Sequence, residues 1–481
     1  MSEKSKLKTN PNACPLAKKC GGCQLQNMTY ERQLKWKQAR EEILLKKFGK
    51  VNKIIGMENP YHYRNKVQAA FGRTRSGKII SGVYQSGTHR IVSVDSCMIE
   101  DEIADKIICD IRSMLPKFKI LVYDEDKHTG FLRHVLVKRG FTSGEVMVVL
   151  VGASSYFPIK KKFTKNLLEM HPEITTVILN INSKSTNLVL GDKEEILYGK
   201  GYITDTLCGL EFAISAKSFY QINPIQTEKL YNKAMEYACL DENSTVIDAY
   251  CGIGTIGLVA AKTAGKVIGV ELNRDAVHDA ISNAKRNDAQ NIRFYCDDAG
   301  DFMEAMAEEG EKADVVFMDP PRSGSSKKFI NSMLKMSPET IVYISCNPET
   351  LARDLAFITK GGYKVKKITP VDMFPHTNHV ETVVSLSQQT PKMTVDVTVD
   401  LDEFDTTPTE TKATYKEIED YIFKKYKLKV SNLYIAQIKQ KYGIIERENY
   451  NKPKSANSKQ PKCPPEKEKI IVEALRHFQM I

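Results

Sequence analysis

Between about residue 225 and residue 388, short apolar runs alternate with segments in which apolar residues recur every three or four positions. The runs STVIDAY, KVIGVEL, ADVVFMD and TIVYIS predict strands, and a helical segment follows each of them. Alternation of this kind predicts βαβ units. We therefore expect an α/β fold with a mostly parallel, doubly wound sheet of the Rossmann-like type in this part of the chain.

From about residue 60 to residue 215, strand-like runs follow one another with turn residues between them. Examples are VQAAFGR, GKIISGVYQ, FLRHVLVKRG and GEVMVVLVGA, which predict a second α/β region with substantial sheet. Ahead of it, residues 30–49 have helical spacing, with Lys and Arg on one side. The residues predicted to form the apolar face of this helix are Leu34, Trp36, Ile43 and Leu44.

The remaining segments differ in composition from these two regions. Residues 1–12 are polar and predicted to be disordered, and residues 389–412 are rich in Thr and Asp, as expected for a linker. Two short helices around a turn and one last helix are predicted beyond them. The predicted boundaries are therefore 1–55, 56–220, 221–388, 389–412 and 413–481.

Composition places the chain among ordinary folded proteins. A chain of 481 residues is longer than one hydrophobic core usually accommodates, so several domains are expected. Of its residues, 42% are hydrophobic, as in ordinary globular proteins. No apolar run approaches the roughly 20 residues of a membrane span, and the first residues lack a secretion signal. The cytoplasm is therefore the expected location, with no membrane and no obligatory protein partner.

Charge is distributed unevenly along the chain. Residues 1–90 contain 19 Lys and Arg against 5 acidic residues, whereas the whole chain has a net charge of +11. A basic end on a nearly neutral body suggests a polyanion, because phosphates attract clustered Lys and Arg. A solvated lysine-rich surface is the alternative interpretation.

A small-residue turn follows the first strand of the later region. The turn, CGIG at 251–254, allows the backbone to approach a ligand closely, and Glu271 ends the next strand. A carboxylate there accepts hydrogen bonds from ribose hydroxyls in dinucleotide-binding folds. Nicotinamide binding fits these two features nearly as well as a methyl donor does.

Later strand ends favour a methyl donor. The run VVFMDPPRSG places Asp319 and two prolines at the ligand-binding edge of the sheet, where a D-P-P turn is typical of enzymes that methylate bases. Asp297 and Asp298 end another strand. They are candidates to contact the adenine of the donor, or acidic residues of a loop.

The strand TIVYIS ends in Cys346, again at the ligand-binding edge. Carbon 5 of uracil becomes nucleophilic when a thiolate adds to carbon 6, and a base must then remove the carbon-5 proton. The segment VDMFPHTNHVETVVSL supplies a carboxylate, Glu381, just before a final strand, while His376 and His379 are predicted to shape the pocket. A buried, inert thiol is the alternative for Cys346.

Together the motifs DAYCGIGTIGL, VIGVELN, DPPRSG, ISCNPETLARDL and FPHTNHVE resemble those of the RNA (uracil-5-)-methyltransferase family, over about residues 14–388. The resemblance implies S-adenosylmethionine as the methyl donor, Cys346 as the nucleophile and Glu381 as the proton acceptor. It also implies a base-stacking role for Phe219, for which an ordinary core aromatic residue is the alternative. The implied donor contacts are Gln221, Tyr250, Glu271 and Asp319.

Three cysteines near the start, Cys14, Cys20 and Cys23, have the spacing C-x5-C-x2-C, and Cys97 is the best candidate for a fourth ligand. Four thiolates suit either zinc or a [4Fe–4S] cluster, and the spacing does not separate them. The resemblance implies the cluster, because the 23S rRNA branch of the family has one at this spacing.

The resemblance also implies an organisation. An iron–sulfur segment with a basic helix (1–55) precedes a central RNA-binding α/β domain that supplies Cys97 (56–220). The methyltransferase domain (221–388) follows, whereas the linker and a small helical C-terminal extension of unknown role lie outside the family pattern. Basic and aromatic residues in the central strands suit RNA contact or a solvated basic face. They are Arg64, Lys66, Arg73, Arg75, Arg133, Lys138 and Arg139, with Tyr61, Tyr63, Phe71 and Phe131.

The leading hypothesis is therefore a uridine-5 methyltransferase that acts on 23S rRNA. A tRNA uridine-5 methyltransferase is the alternative within the family. An amino-group methyltransferase built on the D-P-P turn would need no nucleophile. A non-catalytic iron–sulfur RNA-binding protein would transfer no methyl group.

Overall fold

The molecule consists of two compact units, residues 1–394 and residues 395–481. The computed structural model describes residues 13–85, 88, 90–184, 188–389, 415–426, 428, 430–442, 463–478 and 480. The predicted disordered start, 1–12, and the predicted linker, apart from residue 389, lie outside these residues. Among the described helices, none combines the length and the hydropathy that a membrane crossing requires.

The first unit begins with two helices, α1 (Ala17–Cys20) and α2 (Tyr30–Leu45). The apolar face predicted for α2 is wrong, because Ile43 is 73% exposed and Trp36 is 38% exposed. The buried face recurs every four positions and is mostly polar, because it packs against a polar loop of the second sheet region. Its residues are Gln33, Lys37, Glu41 and Leu45.

Seven strands form the first sheet, in the order β3-β2-β1-β4-β5-β6-β7. Neighbouring strands are antiparallel except β5 and β6, which are parallel. The strands are β1 (Lys66–Arg73), β2 (Ile79–Tyr84), β3 (Ile91–Ser93), β4 (Leu132–Arg139), β5 (Val146–Gly152), β6 (Ile174–Ile181) and β7 (Lys193–Tyr198). Helices α3 (Glu102–Lys117) and α4 (Lys160–Met170) share an apolar core with this sheet.

A two-stranded hairpin, β8 (Tyr202–Leu207) and β9 (Leu210–Ser215), follows the first sheet and leads to helix α5 (Pro224–Ala238). Apolar residues of the hairpin, of α5 and of both large sheets belong to one core cluster. The hairpin and α5 are therefore packed between the regions that the two sheets define.

The second sheet has the order β12-β11-β10-β13-β14-β16-β15. The first five strands are parallel, and β16 lies antiparallel between β14 and β15. Its strands are β10 (Thr245–Ala249), β11 (Lys266–Glu271), β12 (Ile292–Cys296), β13 (Val315–Met318), β14 (Thr340–Ser345), β15 (Tyr363–Val371) and β16 (Glu381–Gln388). The predicted doubly wound α/β sheet is confirmed, with an antiparallel pair at one side.

Five helices connect these strands: α6 (Thr255–Ala261), α7 (Arg274–Arg286), α8 (Ala299–Glu308), α9 (Lys327–Met336) and α10 (Pro348–Lys360). Separate apolar clusters bury the two faces of the sheet. Since the parallel strands all end at one edge, the loops that follow β10, β11, β13 and β14 meet there.

The second unit contains three described helices, α11 (Tyr415–Tyr426), α12 (Asn432–Lys441) and α13 (Pro465–His477). Its core consists mainly of isoleucines that recur at helical spacing, including Ile418, Ile422, Ile435 and Ile471. The three helices predicted after residue 413 are therefore confirmed.

Candidate active site

Cys346 lies directly after β14, at the edge of the sheet where parallel strands end. The next residue, Asn347, caps α10 by accepting a hydrogen bond from the backbone N–H of Glu349 at 3.2 Å. Its amide also donates to the carbonyl of Arg322 at 3.0 Å, which ties this turn to the D-P-P turn. The thiol is half-buried and lines a cavity, so it is accessible to a ligand.

Glu381 is the first residue of β16 and is buried. In the antiparallel pairing of β14 and β16, Ser345 lies opposite Thr382. Continuing this register by one step brings residue 346 opposite residue 381. The strand pairing therefore brings positions 346 and 381 together at the sheet edge, and the electrostatic influence of Glu381 on the pKa of Cys346 agrees with this proximity.

The electrostatic surroundings couple these two groups. Burial raises the pKa of Cys346 to about 11, with further increases from Glu381 and Asp319 and a decrease from Arg322. Burial also holds the pKa of Glu381 well above its usual range, with Asp319 raising it and Arg322 lowering it. The thiol is therefore protonated at neutral pH, burial favours the neutral form of the Glu381 carboxyl group, and Arg322 favours the charged form of each.

The loop between β15 and β16 forms one wall of this site, and helix α2 holds it. Lys37 and Asp372 form a fully buried ion pair at 2.5 Å, and the same ammonium donates to the carbonyl of Phe374 at 3.0 Å. The backbone N–H of His376 donates to the amide oxygen of Gln33 at 2.9 Å, and the Gln33 nitrogen lies 3.1 Å from Nδ1 of His376.

Further contacts extend this attachment in both directions. The backbone N–H of Leu25, near the cysteine segment, donates to the carbonyl of His376 at 2.9 Å. At the other end, the hydroxyl of Thr382 donates to Glu41 at 2.9 Å. Burial raises the pKa of Glu41 to about 7. The sequence analysis missed these residues of α2, because the partners that make their burial favourable lie at the other end of the first unit and leave no local signal.

A second cavity lies at the ends of β10 and β13. Three of the four predicted donor contacts, Gln221, Tyr250 and Asp319, line it together with Phe219. Phe219 is 64% exposed, so it is not a core aromatic residue. Burial raises the pKa of Asp319 to about 7. The fourth predicted contact, Glu271, is not among the lining residues, but it forms a hydrogen bond with the turn that lines the cavity.

The turn after β10 explains this role of Glu271. One carboxylate oxygen of Glu271 accepts from the backbone N–H of Gly252 at 3.1 Å, and the other accepts from that of Asn273 at 2.8 Å. Gly252 has a positive φ of 56°, and a methyl group on it would meet no atom within 4 Å. The backbone thus presents open space to the cavity, which suits the close approach of a ligand.

Asp248, within β10, is a buried residue that the sequence reasoning missed. One of its oxygens accepts from the backbone N–H of Gly257 at 2.7 Å, and the other is buried without a partner. Burial raises its pKa to about 8. An aspartate inside the otherwise apolar strand STVIDAY was the signal. Asp298, by contrast, caps α8 by accepting from Gly300 at 2.8 Å, which accounts for this carboxylate structurally.

The four cysteines of the predicted cluster, Cys14, Cys20, Cys23 and Cys97, line one small cavity beside β3. All four are free and half-buried. In the part of the chain that the structure describes, however, no three His, Cys, Asp or Glu side chains are arranged to hold a metal ion. The structure thus brings the four sulfurs to a common space without the geometry of a single-ion site.

Several residues predicted to contact RNA have structural roles instead. Arg133 is 4% exposed and donates to Glu125 and to two backbone carbonyls. Lys138 is also buried and donates to two carbonyls, and burial lowers its pKa to about 7. Tyr63 and Phe71 belong to the core. Arg73 and Arg75 remain exposed.

Comparison with known proteins finds RNA methyltransferases at both the family and the sequence level. The family model described as tRNA (uracil-5-)-methyltransferase matches residues 29–389. An uncharacterised RNA methyltransferase of Halalkalibacterium halodurans is 45% identical over 378 residues, which are 78% of this chain and 82% of that protein. A counterpart from Clostridium tetani is 45% identical over 378 residues, with the same coverage.

A solved structure is also similar. The crystal structure of Pyrococcus abyssi tRNA (uracil-54, C5)-methyltransferase in complex with S-adenosyl-L-homocysteine is 27% identical, with a TM-score of 0.63. The match covers 76% of this chain and 85% of that one.

Proposed function

This chain belongs to the tRNA (uracil-5-)-methyltransferase family and is an S-adenosylmethionine-dependent RNA methyltransferase, and from that premise we propose that it methylates carbon 5 of a uridine in 23S rRNA through Cys346 and Glu381. The register of β14 and β16 carries the proposal, because it brings a half-exposed thiol beside a buried carboxyl group. An amino-group methyltransferase would need neither.

The chemistry follows from these two side chains. After the half-exposed thiol loses its proton to solvent, the Cys346 thiolate bonds to carbon 6 of uracil, and the π electrons move onto carbon 5 and the neighbouring carbonyl. When bound, S-adenosylmethionine supplies the methyl group that carbon 5 accepts. Glu381, as a carboxylate, then takes the carbon-5 proton, and the electrons of that C–H bond expel the thiolate.

We place the donor in the cavity at the ends of β10 and β13. Open space in front of Gly252 supports this placement, and the exposed side chain of Phe219 lies at the same cavity. Within it, Gln221, Tyr250 and Asp319 offer polar groups to the ligand. We propose that Glu271 accepts hydrogen bonds from the ribose hydroxyls of the donor in place of its present backbone N–H partners.

We also propose that Cys14, Cys20, Cys23 and Cys97 hold a [4Fe–4S] cluster. Their common cavity supports this proposal, and a four-iron cluster spaces its ligand sulfurs more widely than a single ion does. The cluster would hold the N-terminal segment against the first sheet, with no step in methyl transfer.

Anaerobically purified protein should be brown, and the colour should disappear in Cys97→Ser. The Cys109→Ser variant is the matched control, since Cys109 lies outside the cavity. Stoichiometric zinc in colourless protein would contradict the cluster.

A tRNA substrate is the second candidate. It is favoured by the solved Pyrococcus abyssi structure, whose name describes a tRNA uracil-54 methyltransferase. The four cysteines around one cavity favour 23S rRNA, because the resemblance associates them with that branch of the family.

The test uses unmodified 23S rRNA and tRNA transcripts with labelled donor. Glu381→Gln should accumulate an RNA–protein adduct on the true substrate, because the amide cannot accept the carbon-5 proton and the thiolate cannot leave. Adding Cys346→Ala should abolish both adduct and methylation, a loss of about 10⁴-fold or more. Normal 5-methyluridine formation by Cys346→Ala would refute the mechanism, and an adduct with tRNA alone would refute the rRNA target.

A further inference from the structure

The cavity beside Cys346 has a wall that comes from the opposite end of the chain. Arg40, on α2, lines this cavity with Arg322, Cys346, Asn378 and His379. One guanidinium nitrogen of Arg40 donates at 2.9 Å to the carbonyl of Asn378, 338 positions later in the chain. A cation from the N-terminal helix is therefore part of the surface around the nucleophile.

The position of Arg40 is defined by its neighbours. A second guanidinium nitrogen donates to Glu349 at 2.6 Å, and the guanidinium carbon lies 5.9 Å from the ring centroid of Trp36. The side chain is 28% exposed, whereas its partner Glu349 is 54% exposed. A guanidinium has five N–H donors, so these two hydrogen bonds leave others available for a ligand.

Two arginines, Arg40 and Arg322, also place positive charge on the wall of this cavity. Burial lowers the pKa of His379, and Arg322, Lys37, Arg40 and Arg64 lower it further. Lys37 is neutralised by its buried ion pair with Asp372, which leaves the arginines to attract an anion. Glu349 offsets part of this charge from the solvent side.

The substrate requires an anion site at this place. A base that reaches Cys346 has left its stack but stays attached to its own backbone phosphate. That phosphate therefore lies no farther from the thiol than the length of one nucleotide. Arginine is well suited to phosphate, because its planar donors match two phosphate oxygens. We propose that Arg40 binds a backbone phosphate of the target nucleotide, so that α2 is part of the RNA-binding site. This inference rests on the proposed uridine methylation.

The experiment measures RNA binding against salt concentration. All proteins carry Cys346→Ala, so that no covalent adduct forms, and the probe is the unmodified transcript that the unmutated enzyme methylates. In this background Arg40→Gln should weaken binding several-fold at low salt. It should also reduce the slope of log Kobs against log salt by about 1, because the loss of one phosphate contact lowers the number of counterions that binding releases.

Three further variants separate phosphate binding from structural support. Arg40→Lys keeps the charge and should retain the slope. Glu349→Gln breaks the ion pair but leaves the guanidinium, so it should bind RNA at least as tightly as the parent. Arg286→Gln is the matched control, because Arg286 and Glu211 form an ion pair of the same 2.6 Å length and similar exposure elsewhere. It should leave the slope unchanged.

An unchanged slope in Arg40→Gln would overturn the proposal. A defect that appears only in the methylation rate of the single variant Arg40→Gln, with Cys346 intact, would also overturn it and would assign Arg40 to the base instead of the phosphate. If Glu349→Gln weakens RNA binding and reduces the salt slope as Arg40→Gln does, the ion pair matters only for the fold, and the proposal is overturned. If the proposed function is wrong, the result differs: the unmutated enzyme then forms no 5-methyluridine in any transcript, whatever salt slope the variants show.

Discussion

The two cavities at the edge of the second sheet are built in different ways. The cavity at the ends of β10 and β13, in which we propose that the donor binds, is here called the donor cavity. Its lining residues come from one stretch of the chain, between Leu207 and Asp319. The Cys346 cavity combines loops of the sheet with Arg40 from the N-terminal helix. The first combines the hairpin, α5 and the strand ends that follow them in the chain, whereas the second exists only when segments from opposite ends of the first unit meet.

This difference explains which residues were visible in the sequence. Parallel strands direct their carboxyl ends to one edge, so a polar residue after a strand predicts a ligand site. Nothing comparable marks a helix whose buried face is polar. The comparison predicts that changes in α2 affect the Cys346 cavity and leave donor binding intact.

The largest expected effect concerns the buried ion pair that attaches α2. Asp372→Ala leaves the Lys37 ammonium buried without a partner, and the free energy of unfolding should fall by about 3–5 kcal/mol. Urea unfolding followed by circular dichroism measures this loss. Replacing both residues, Lys37→Met with Asp372→Leu, should restore most of it.

The exposed pair of Glu211 and Arg286 is the control for this prediction. Glu211→Gln should cost at most about 1 kcal/mol, because exposed ion pairs are screened by water. Equal losses in Asp372→Ala and Glu211→Gln would show that α2 is only loosely attached.

A second prediction concerns pH. Because burial raises the pKa of both Cys346 and Glu381, rising pH removes protons that block the nucleophile and the base. The single-turnover methylation rate should therefore rise through neutral pH, by about tenfold per unit while the thiol is mostly protonated.

Arg322→Gln sharpens this prediction. It removes the charge that lowers both pKa values, so the pH–rate curve should move to higher pH. Arg40→Gln should leave the curve in place, since Arg40 is not among the groups that shift the pKa of Cys346. A shift of equal size in both variants would contradict the separate roles assigned to the two arginines.

The smallest expected effect lies in the donor cavity. Glu271→Gln retains one acceptor oxygen and the shape of the side chain, so the affinity for S-adenosylmethionine should fall about tenfold, or roughly 1.4 kcal/mol. Calorimetric titration measures it. Asp298→Asn should leave donor affinity unchanged, because asparagine caps a helix as well as aspartate does. A loss in that control would restore Asp298 as an adenine contact.

Much of the fold was predictable from local pattern. The strands and helices of the second sheet follow from alternating apolar runs, because each unit buries its own face. The family, the S-adenosylmethionine dependence and the RNA substrate class followed from motifs that keep their order. The roles of Cys346, Glu381 and the four cysteines stay predictions.

The errors share one physical cause. The apolar face expected for α2 and the RNA contacts expected for Arg133 and Lys138 were read from side-chain type alone. Burial of these polar groups is stable only because partners from distant segments satisfy them, and such partners leave no periodic signal in the sequence.

The sequence by itself therefore determined the α/β class, and it supplied the proposed ligand-binding edge of the sheet and the two side chains proposed to perform the chemistry. Only the tertiary structure decided that Glu381 lies opposite Cys346, and that α2 brings Arg40 to the same cavity. Local patterns record which face of an element is buried against its neighbours in the chain. The pairing of β14 with β16, and the packing of an N-terminal helix on a C-terminal loop, depend on contacts that form only in the folded chain.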